Sequence, residues 1–190
     1  MIIPVREQNT TRLLLRTIVK LMVMVAVLAF AWVLFGSFPE RGQETAEVVR
    51  FNVADMQPGD YRLVEWQKKP LFIVRRKPEW ETALISADTA LYRDPDSSKS
   101  IQMESAVNPQ RSVQSGWFVT LGLGTGMGCT LVFFEPNANE SGARATGGFV
   151  DSCDQSYYDL AGRVYIDQHA RRNTVVPRWK YVDGQILLGG

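Results

Sequence analysis

Histidine and cysteine are scarce in this chain, which has one histidine and two cysteines among 190 residues. A Ser-His-Asp triad needs its histidine, and His169 lies in a charged stretch with no motif serine nearby. The two cysteines are not arranged as Cys-x-x-Cys, the spacing typical of a reactive dithiol. These absences argue against nucleophilic and redox catalysis, and we expect the chain not to be an enzyme.

A basic excess is also missing. The formal net charge is +1, with 21 Lys+Arg against 20 Asp+Glu. Four of the basic residues and one acidic residue precede residue 40, which leaves 17 basic against 19 acidic residues in the remainder. A nucleic-acid surface needs a clustered basic excess, so this class of partner is excluded.

One long uncharged run stands out near the N-terminus, from Leu21 to Pro39. Its nineteen residues form a helix of about 28 Å, which is enough to cross the hydrocarbon core of a bilayer. Arg6, Arg12, Arg16 and Lys20 precede it, so the positive-inside bias predicts a cytoplasmic N-terminus. A cleaved signal peptide is the alternative, although the run is long for one and lacks a small-x-small cleavage pattern.

We therefore predict four segments: a cytoplasmic tail over 1–16, a transmembrane helix over 17–39, a linker over 40–47 and one extracytoplasmic domain over 48–190. In a bacterium this describes a single-pass inner-membrane protein with a periplasmic domain. About 150 residues are enough for one domain with its own core.

The domain is predicted to be all-β, with antiparallel sheets in a sandwich or barrel, because short β-branched and aromatic runs alternate with turns. The expected strands are Val48–Val53, Tyr61–Trp66, Leu71–Val74, Trp117–Leu121, Thr130–Phe134, Val164–Ile166, Thr174–Val176 and Gln185–Leu188. One short helix is expected over Pro78–Leu84. Residues 95–115 are polar and aperiodic, which indicates a surface excursion.

Each cysteine lies in a short loop, and the loops read Gly-Thr-Gly-Met-Gly-Cys over 124–129 and Asp-Ser-Cys-Asp-Gln-Ser over 151–156. The glycines match neither G-x-G-x-x-G nor the Walker pattern. The loops resemble those of the Rieske iron-sulfur protein of quinol:cytochrome c reductases, which read Cys-Thr-His-Leu-Gly-Cys and Cys-Pro-Cys-His-Gly-Ser. The resemblance extends over most of 48–189, and its main pieces are residues 57–59, 64–66, 69–76, 93–96, 117–119 and 176–189.

The resemblance implies a Rieske-like fold and identifies the positions that hold the cluster in that family. The four ligand positions fall on Gly124, Gly126, Asp151 and Asp154. A Rieske [2Fe-2S] centre needs two thiolates and two imidazoles, whereas glycine has no side-chain donor and aspartate is a hard oxygen ligand. We therefore expect no cluster and no other cofactor.

Other positions of the family pattern are kept. The bridging cysteines of the family match Cys129 and Cys153, and residues that hydrogen-bond near the cluster match Ser156 and Tyr158. We expect the latter two to pack and bond within the loops. Two cysteines in facing extracytoplasmic loops favour a disulfide, worth about 3.5 kcal/mol in the chain-entropy model; a redox-active dithiol is the alternative.

The function expected from the resemblance is that of a non-catalytic accessory subunit of a respiratory membrane complex. The candidate hosts are a haem-copper cytochrome oxidase and a quinol:cytochrome c reductase, with cytochrome c as a further partner. Met127, Phe133, Tyr157 and Tyr158 are candidate contact residues or, alternatively, core residues.

Two other functions stay open at the level of sequence. The first is a free-standing assembly or metal-handling factor that binds a hard cation through Asp151, Asp154 and Asp159, since such cations prefer oxygen ligands. The second is electron transfer, which the missing ligands disfavour.

Overall fold

The computed structural model describes residues 5–36 and 48–189, with side chains described from Thr11 to Leu34 in the first range. The chain divides into two compact units, Met1–Thr45 and Ala46–Gly190, and each is described by itself. In the first unit, the described residues form the helix α1 over Val5–Gly36. Its segment Thr11–Leu34 is long and apolar enough to cross a membrane, and the most apolar stretch of 18 residues within it has a mean hydropathy of 2.4.

Helix α1 begins within the predicted tail 1–16, because the Leu-rich and Arg-containing residues before the apolar run also favour helix. The predicted linker 40–47 and the last residues of the predicted segment 17–39 lie outside the described residues. The four segment boundaries therefore stay predictions.

Over residues 48–189, the second unit is built from nine short strands in three antiparallel sheets of three strands each. The strands are β1 Val49–Asn52, β2 Tyr61–Trp66, β3 Lys69–Arg75, β4 Trp117–Leu121, β5 Leu131–Phe134, β6 Gly148–Asp151, β7 Tyr157–Tyr158, β8 Trp179–Val182 and β9 Gln185–Leu188. Their orders are β1-β9-β8, β2-β3-β4 and β5-β6-β7. The helices are α2 Pro78–Ser86 and α3 Ala143–Thr146, with 3-10 turns at Thr89–Leu91 and Glu104–Ala106. The predicted all-β antiparallel domain is confirmed.

Two hairpins show how local sequence sets this topology. The β8–β9 turn is Asp183-Gly184, with φ of 47° and 77°, as a two-residue turn of type I′ requires. The β2–β3 turn uses Gln67 and Lys68 with φ of 50° and 58°. Residues other than glycine, asparagine and aspartate rarely adopt this conformation, so the sheet pairing on both sides stabilises the turn.

Two of the predicted strands do not form as strands. Val164–Ile166 and Thr174–Val176 form only isolated bridges or single hydrogen bonds, such as Leu121 N–H to the Val175 carbonyl.

The region 95–115 is not only the surface excursion that the sequence predicted, since Arg111 is only 1% exposed. Its guanidinium donates to the carbonyls of Ala161, Gly162 and Thr174. A buried arginine here supplies the donors that a neighbouring strand would otherwise supply.

The core joins the sheets through a group of phenylalanine rings. Phe149 on β6 is fully buried, and its ring centroid lies 5.2 Å from that of Phe72, 6.2 Å from Phe118 and 5.6 Å from Phe133. Phe72 and Phe118 belong to the β2-β3-β4 sheet, whereas Phe133 and Phe149 belong to the β5-β6-β7 sheet. This packing places the ends of β4 and β6, from which the two cysteine loops leave, on one common core.

We predict that Arg111→Met lowers the free energy of unfolding by about 3 kcal/mol, because it leaves the buried carbonyls of Ala161 and Thr174 without their donor. The measurement is urea unfolding of the fragment 46–190 followed by tryptophan fluorescence. The control is Arg171→Met at an exposed position, for which a change within about 0.5 kcal/mol is expected. Equal effects of the two changes would contradict the role given to Arg111.

Candidate functional site at the cysteine loops

The two cysteine loops are hairpin tips held side by side. The first lies between β4 and β5, where Leu123 bridges Thr130 and the Gly124 N–H donates to the Cys129 carbonyl at 2.8 Å. The second lies between β6 and β7, and the Asp151 N–H donates to the Ser156 carbonyl at 2.9 Å. Because β5 pairs with β6 in antiparallel register, the two tips emerge from adjacent strands.

A disulfide joins the two tips. Cys129 and Cys153 are bonded, with their Cα atoms 6.0 Å apart and 24 positions of sequence between them. The sequence predicted this pairing, and the structure places the two sulfurs at bonding distance. In this state neither sulfur is a free thiolate, so neither offers a metal ligand or a nucleophile.

Each of the two aspartates in the second loop lies against a glycine of the first. A Cβ atom built on Gly124 would lie 1.7 Å from Oδ2 of Asp151, and one built on Gly126 would lie 2.2 Å from Oδ2 of Asp154. These distances are far below van der Waals contact, so any side chain at either glycine would displace the aspartate. The two reciprocal pairs, Gly124 with Asp151 and Gly126 with Asp154, thus fill the space between the loops.

The two oxygens of each aspartate have different environments. Oδ1 of Asp151 accepts from the Cys153 N–H at 2.8 Å, and Oδ1 of Asp154 accepts from the Ser156 N–H at 2.8 Å. These bonds fix the turns of the second loop in the manner of Asx turns. The Oδ2 atoms of both aspartates are buried and have no hydrogen-bond partner in the described part of the chain. Asp151 as a whole is fully buried.

Ser156 and Tyr158 pack and bond within the loops. The Tyr158 hydroxyl accepts from the Thr125 N–H at 2.9 Å, and the Ser156 hydroxyl accepts from the Ala170 N–H at 3.0 Å. Tyr158 is fully buried, and burial raises the pKa of its phenol. Its hydroxyl therefore bonds the first loop to β7, as expected from the sequence.

The candidate contact residues fall into two groups. Tyr158 and Phe133 are core residues, with 0% and 9% of their surface exposed, so the core alternative applies to them and not the partner contact. Their rings pack in the core between β5, β6 and β7. Tyr157 is half-buried, and its hydroxyl accepts from Nε of Arg144 at 2.9 Å. Met127 is 73% exposed at the tip of the first loop.

Asp159 does not join the other two aspartates. Its Oδ2 lies 2.7 Å from the guanidinium of Arg163, and its Oδ1 accepts from the N–H groups of Ala161 and Arg163. Both partners of this ion pair are almost fully buried. A cation site that includes Asp159 is therefore excluded in this arrangement, because both carboxylate oxygens are already bonded.

A third segment, residues 167–172, completes the site, and no pattern in the sequence indicates its position there. The Arg172 carbonyl accepts from the Thr125 hydroxyl, and Ala170 is bonded to Ser156. The Cα of Ala170 lies 3.7 Å from a Cβ built on Gly126. His169 in this segment is exposed and makes no contact with the aspartates among the interactions described. The segment thus forms a wall on the Gly126 side of the tips.

Comparison with known proteins identifies the family of this chain. It is 34% identical over 151 residues to the ubiquinol-cytochrome c reductase iron-sulfur subunit of Allochromatium vinosum, which covers 78% of this chain and 72% of that protein. The chain belongs to the Rieske iron-sulfur subunit family. It is also 31% identical over 139 residues to the mitochondrial cytochrome b-c1 complex subunit Rieske-3 of Nicotiana tabacum, which covers 73% of this chain and 45% of that protein.

Other comparisons add less to the assignment to the Rieske family. No family model matches the chain. A chain of a hyperthermophilic respiratory Complex III is similar over 88% of this chain and 96% of its own length, with a TM-score of 0.44 and 16% sequence identity. The assignment therefore depends on the curated Rieske subunits alone.

The sequence resemblance assigns the Rieske ligand positions to Gly124, Gly126, Asp151 and Asp154, and these residues do not fit the family's [2Fe-2S] centre. Such a centre takes two thiolates and two imidazoles, whereas glycine has no side-chain donor and aspartate is a hard oxygen ligand. The two cysteines of the chain are bonded to each other, and the single histidine is exposed. The aspartates also occupy the space beside the glycines, so the mismatch is one of volume as well as of donor chemistry.

We predict that Gly124→Ala destabilises the domain by about 3 kcal/mol, because its Cβ would lie 1.7 Å from Oδ2 of Asp151. Asp151→Ala should relieve the clash, so the double variant should lose less free energy than the sum of the two single variants. Urea unfolding of the four proteins measures this coupling as a double-mutant cycle. Strict additivity would show that the two side chains do not share the space.

We predict that three of the six tyrosines ionise at a higher pH than a free phenol does. Burial raises the pKa of Tyr92, Tyr158 and Tyr165. The stability that these raised values contribute is fully present below the unfolded pKa of about 10 and declines as the pH rises above it. Tyrosinate absorbance and circular dichroism of the fragment 46–190, titrated together, should show part of the phenol ionisation arising only as the fold is lost.

The control for this titration is the same fragment in concentrated urea, where all six tyrosines should ionise in one phase. Ionisation of all six in one phase in the native fragment, with an unchanged dichroism spectrum, would contradict the burial of these three phenols.

Proposed function

We propose that this chain is a subunit of a respiratory membrane complex that carries no [2Fe-2S] cluster and contributes a docking surface instead of electron transfer. The observation that carries the proposal is that two glycine-aspartate pairs fill the space between the loops. These pairs lie at the four positions that the resemblance assigns to the cluster ligands. The disulfide and the bonds of Ser156 and Tyr158, which hold the shape of the loops, are kept.

Loss of the metal ligands with retention of the fold, as proposed, favours a function that depends on the surface of the domain. A protein that no longer needed the domain would have no reason to keep the fold, the disulfide and the apolar helix while losing only the metal ligands. A catalytic role is equally unsupported, because no histidine, thiolate or free carboxylate pair converges on a cavity among the described residues. We therefore propose that the chain is not an enzyme by itself.

The loop tip is the part of the domain that best fits a docking role. Met127 is 73% exposed, and its neighbours Gly126 and Gly128 carry no side chains that would keep a partner away. The loop is fastened on either side by Thr125 and Cys129, so the methionine is presented on a backbone that is already ordered. A preorganised apolar contact loses little conformational entropy on binding.

The proposed host is a quinol:cytochrome c reductase or a haem-copper cytochrome oxidase, with cytochrome c as a further partner. The family relatives named above are subunits of the first kind of complex, which favours it. The apolar helix α1 and the basic residues Arg12, Arg16 and Lys20 before its apolar part favour a single pass through a bacterial inner membrane. The N-terminus is then cytoplasmic and the β-domain periplasmic.

The test is affinity purification of the tagged full-length protein from native membranes in mild detergent, with mass spectrometry of the partners and a haem spectrum. We expect reductase or oxidase subunits to be recovered, and no Rieske-type electron paramagnetic resonance signal from this chain. Met127→Asp should reduce their recovery because it places a charge in the apolar contact. The control is Ile85→Asp, since Ile85 is 59% exposed at the end of α2.

The outcomes separate the proposal from its alternatives. A Rieske-type signal that belongs to this chain would overturn the clusterless assignment. Recovery without respiratory subunits, together with stoichiometric divalent metal that Asp151→Ala and Asp154→Ala abolish, would favour the assembly or metal-handling function. The buried Oδ2 atoms of these two aspartates, which lack hydrogen-bond partners among the described residues, are the observation behind that second candidate.

A further inference from the structure

The basic residues of helix α1 form a stripe on one face. Arg12, Arg16 and Lys20 are spaced by four residues, so on a helix with 3.6 residues per turn they lie within an arc of about 80°. The stripe extends for about 12 Å along the helix axis, at 1.5 Å per residue. A topological signal needs only the number of charges at one end of the helix, whereas this arrangement also concentrates them on one side.

Residues 11–34 of the helix, whose side chains the structure describes, supply no counter-charge to this stripe. Residues 11–34 include no aspartate or glutamate, and none of the three basic side chains takes part in an ion pair or hydrogen bond described for this range. The residues beside the stripe are apolar and exposed, with Leu13 at 63% and Val19 at 58%. The three cations therefore lie among side chains that suit acyl chains.

The length of the stripe determines where it lies in a bilayer. The headgroup layer on each side of the hydrocarbon core is about 5 to 8 Å thick, which is less than the 12 Å of the stripe. When Arg12 lies at the membrane surface, the Cα of Lys20 lies at the level of the outer acyl chains, and its ammonium reaches back to the headgroups. All three charges then converge on the depth of the lipid phosphates.

We propose that Arg12, Arg16 and Lys20 form a binding site for the phosphate of an anionic phospholipid in the leaflet at the N-terminal end of the helix. Guanidinium groups match phosphate oxygens in a bidentate geometry, and the lysine adds a third positive charge. A lipid is the occupant that satisfies both parts of this surface, because its headgroup meets the stripe and its acyl chains meet Leu13 and Val19. The site is independent of the function proposed for the loop tips.

The test uses the full-length protein in nonionic detergent, with equal amounts of phosphatidylglycerol and phosphatidylcholine that carry the same acyl chains. Native mass spectrometry counts the lipid of each kind that the protein retains. We expect a preference of about tenfold for phosphatidylglycerol, as charge attraction by a few basic residues provides. Replacement of Arg12, Arg16 and Lys20 by glutamine should abolish the preference.

Two matched variants keep the test decisive. In the first, Arg16→Ile is combined with Ile18→Arg, which keeps composition and charge but moves one cation to another face of the helix; the preference should be lost. In the second, the exposed Arg171, Arg172 and Lys180 of the β-domain become glutamine, and the preference should persist. The proposal is overturned if wild-type protein retains both lipids equally, if the transposed variant keeps the full preference, or if the β-domain variant loses it.

Discussion

The covalent bond between Cys129 and Cys153 is the constraint on which the arrangement of the loop tips depends. Two carboxylate oxygens are buried there without hydrogen-bond partners among the described residues, and burial of this kind opposes folding. The disulfide limits how far the tips separate in the unfolded chain, and the Asx turns and the Tyr158 hydroxyl then fix each tip individually. Local and long-range constraints thus compensate a polar interior that would be unfavourable by itself.

Much of the fold could be predicted from the sequence because several signals coincide. The β2 and β3 runs are rich in β-branched and aromatic residues, and the disulfide follows from two cysteines in loops that resemble a known pair. Helix α2 begins with a proline at its first residue, a position where the missing N–H has no consequence. At the site, the sequence also indicated that Ser156 and Tyr158 bond within the loops, as they do.

The rest could not be predicted because it depends on contacts between distant segments. Nothing near Arg111 indicates that its guanidinium bonds carbonyls fifty or more positions away. The strands predicted around Val164 and Thr174 have the composition of strands, yet buried side chains satisfy their backbone groups instead of a ladder. Likewise, the sequence shows aspartates and glycines, but only the structure shows that each aspartate occupies the space of a particular glycine.

The pairing of each glycine with an aspartate limits which residues the two loops accept. A cysteine at position 124 would carry its Cβ into Oδ2 of Asp151, and a histidine at position 126 would meet Asp154 in the same way. Either single substitution therefore strains the protein without completing a metal site. A set of metal ligands at these positions is reachable only through several simultaneous changes, since the glycine and the aspartate of each pair must be replaced together.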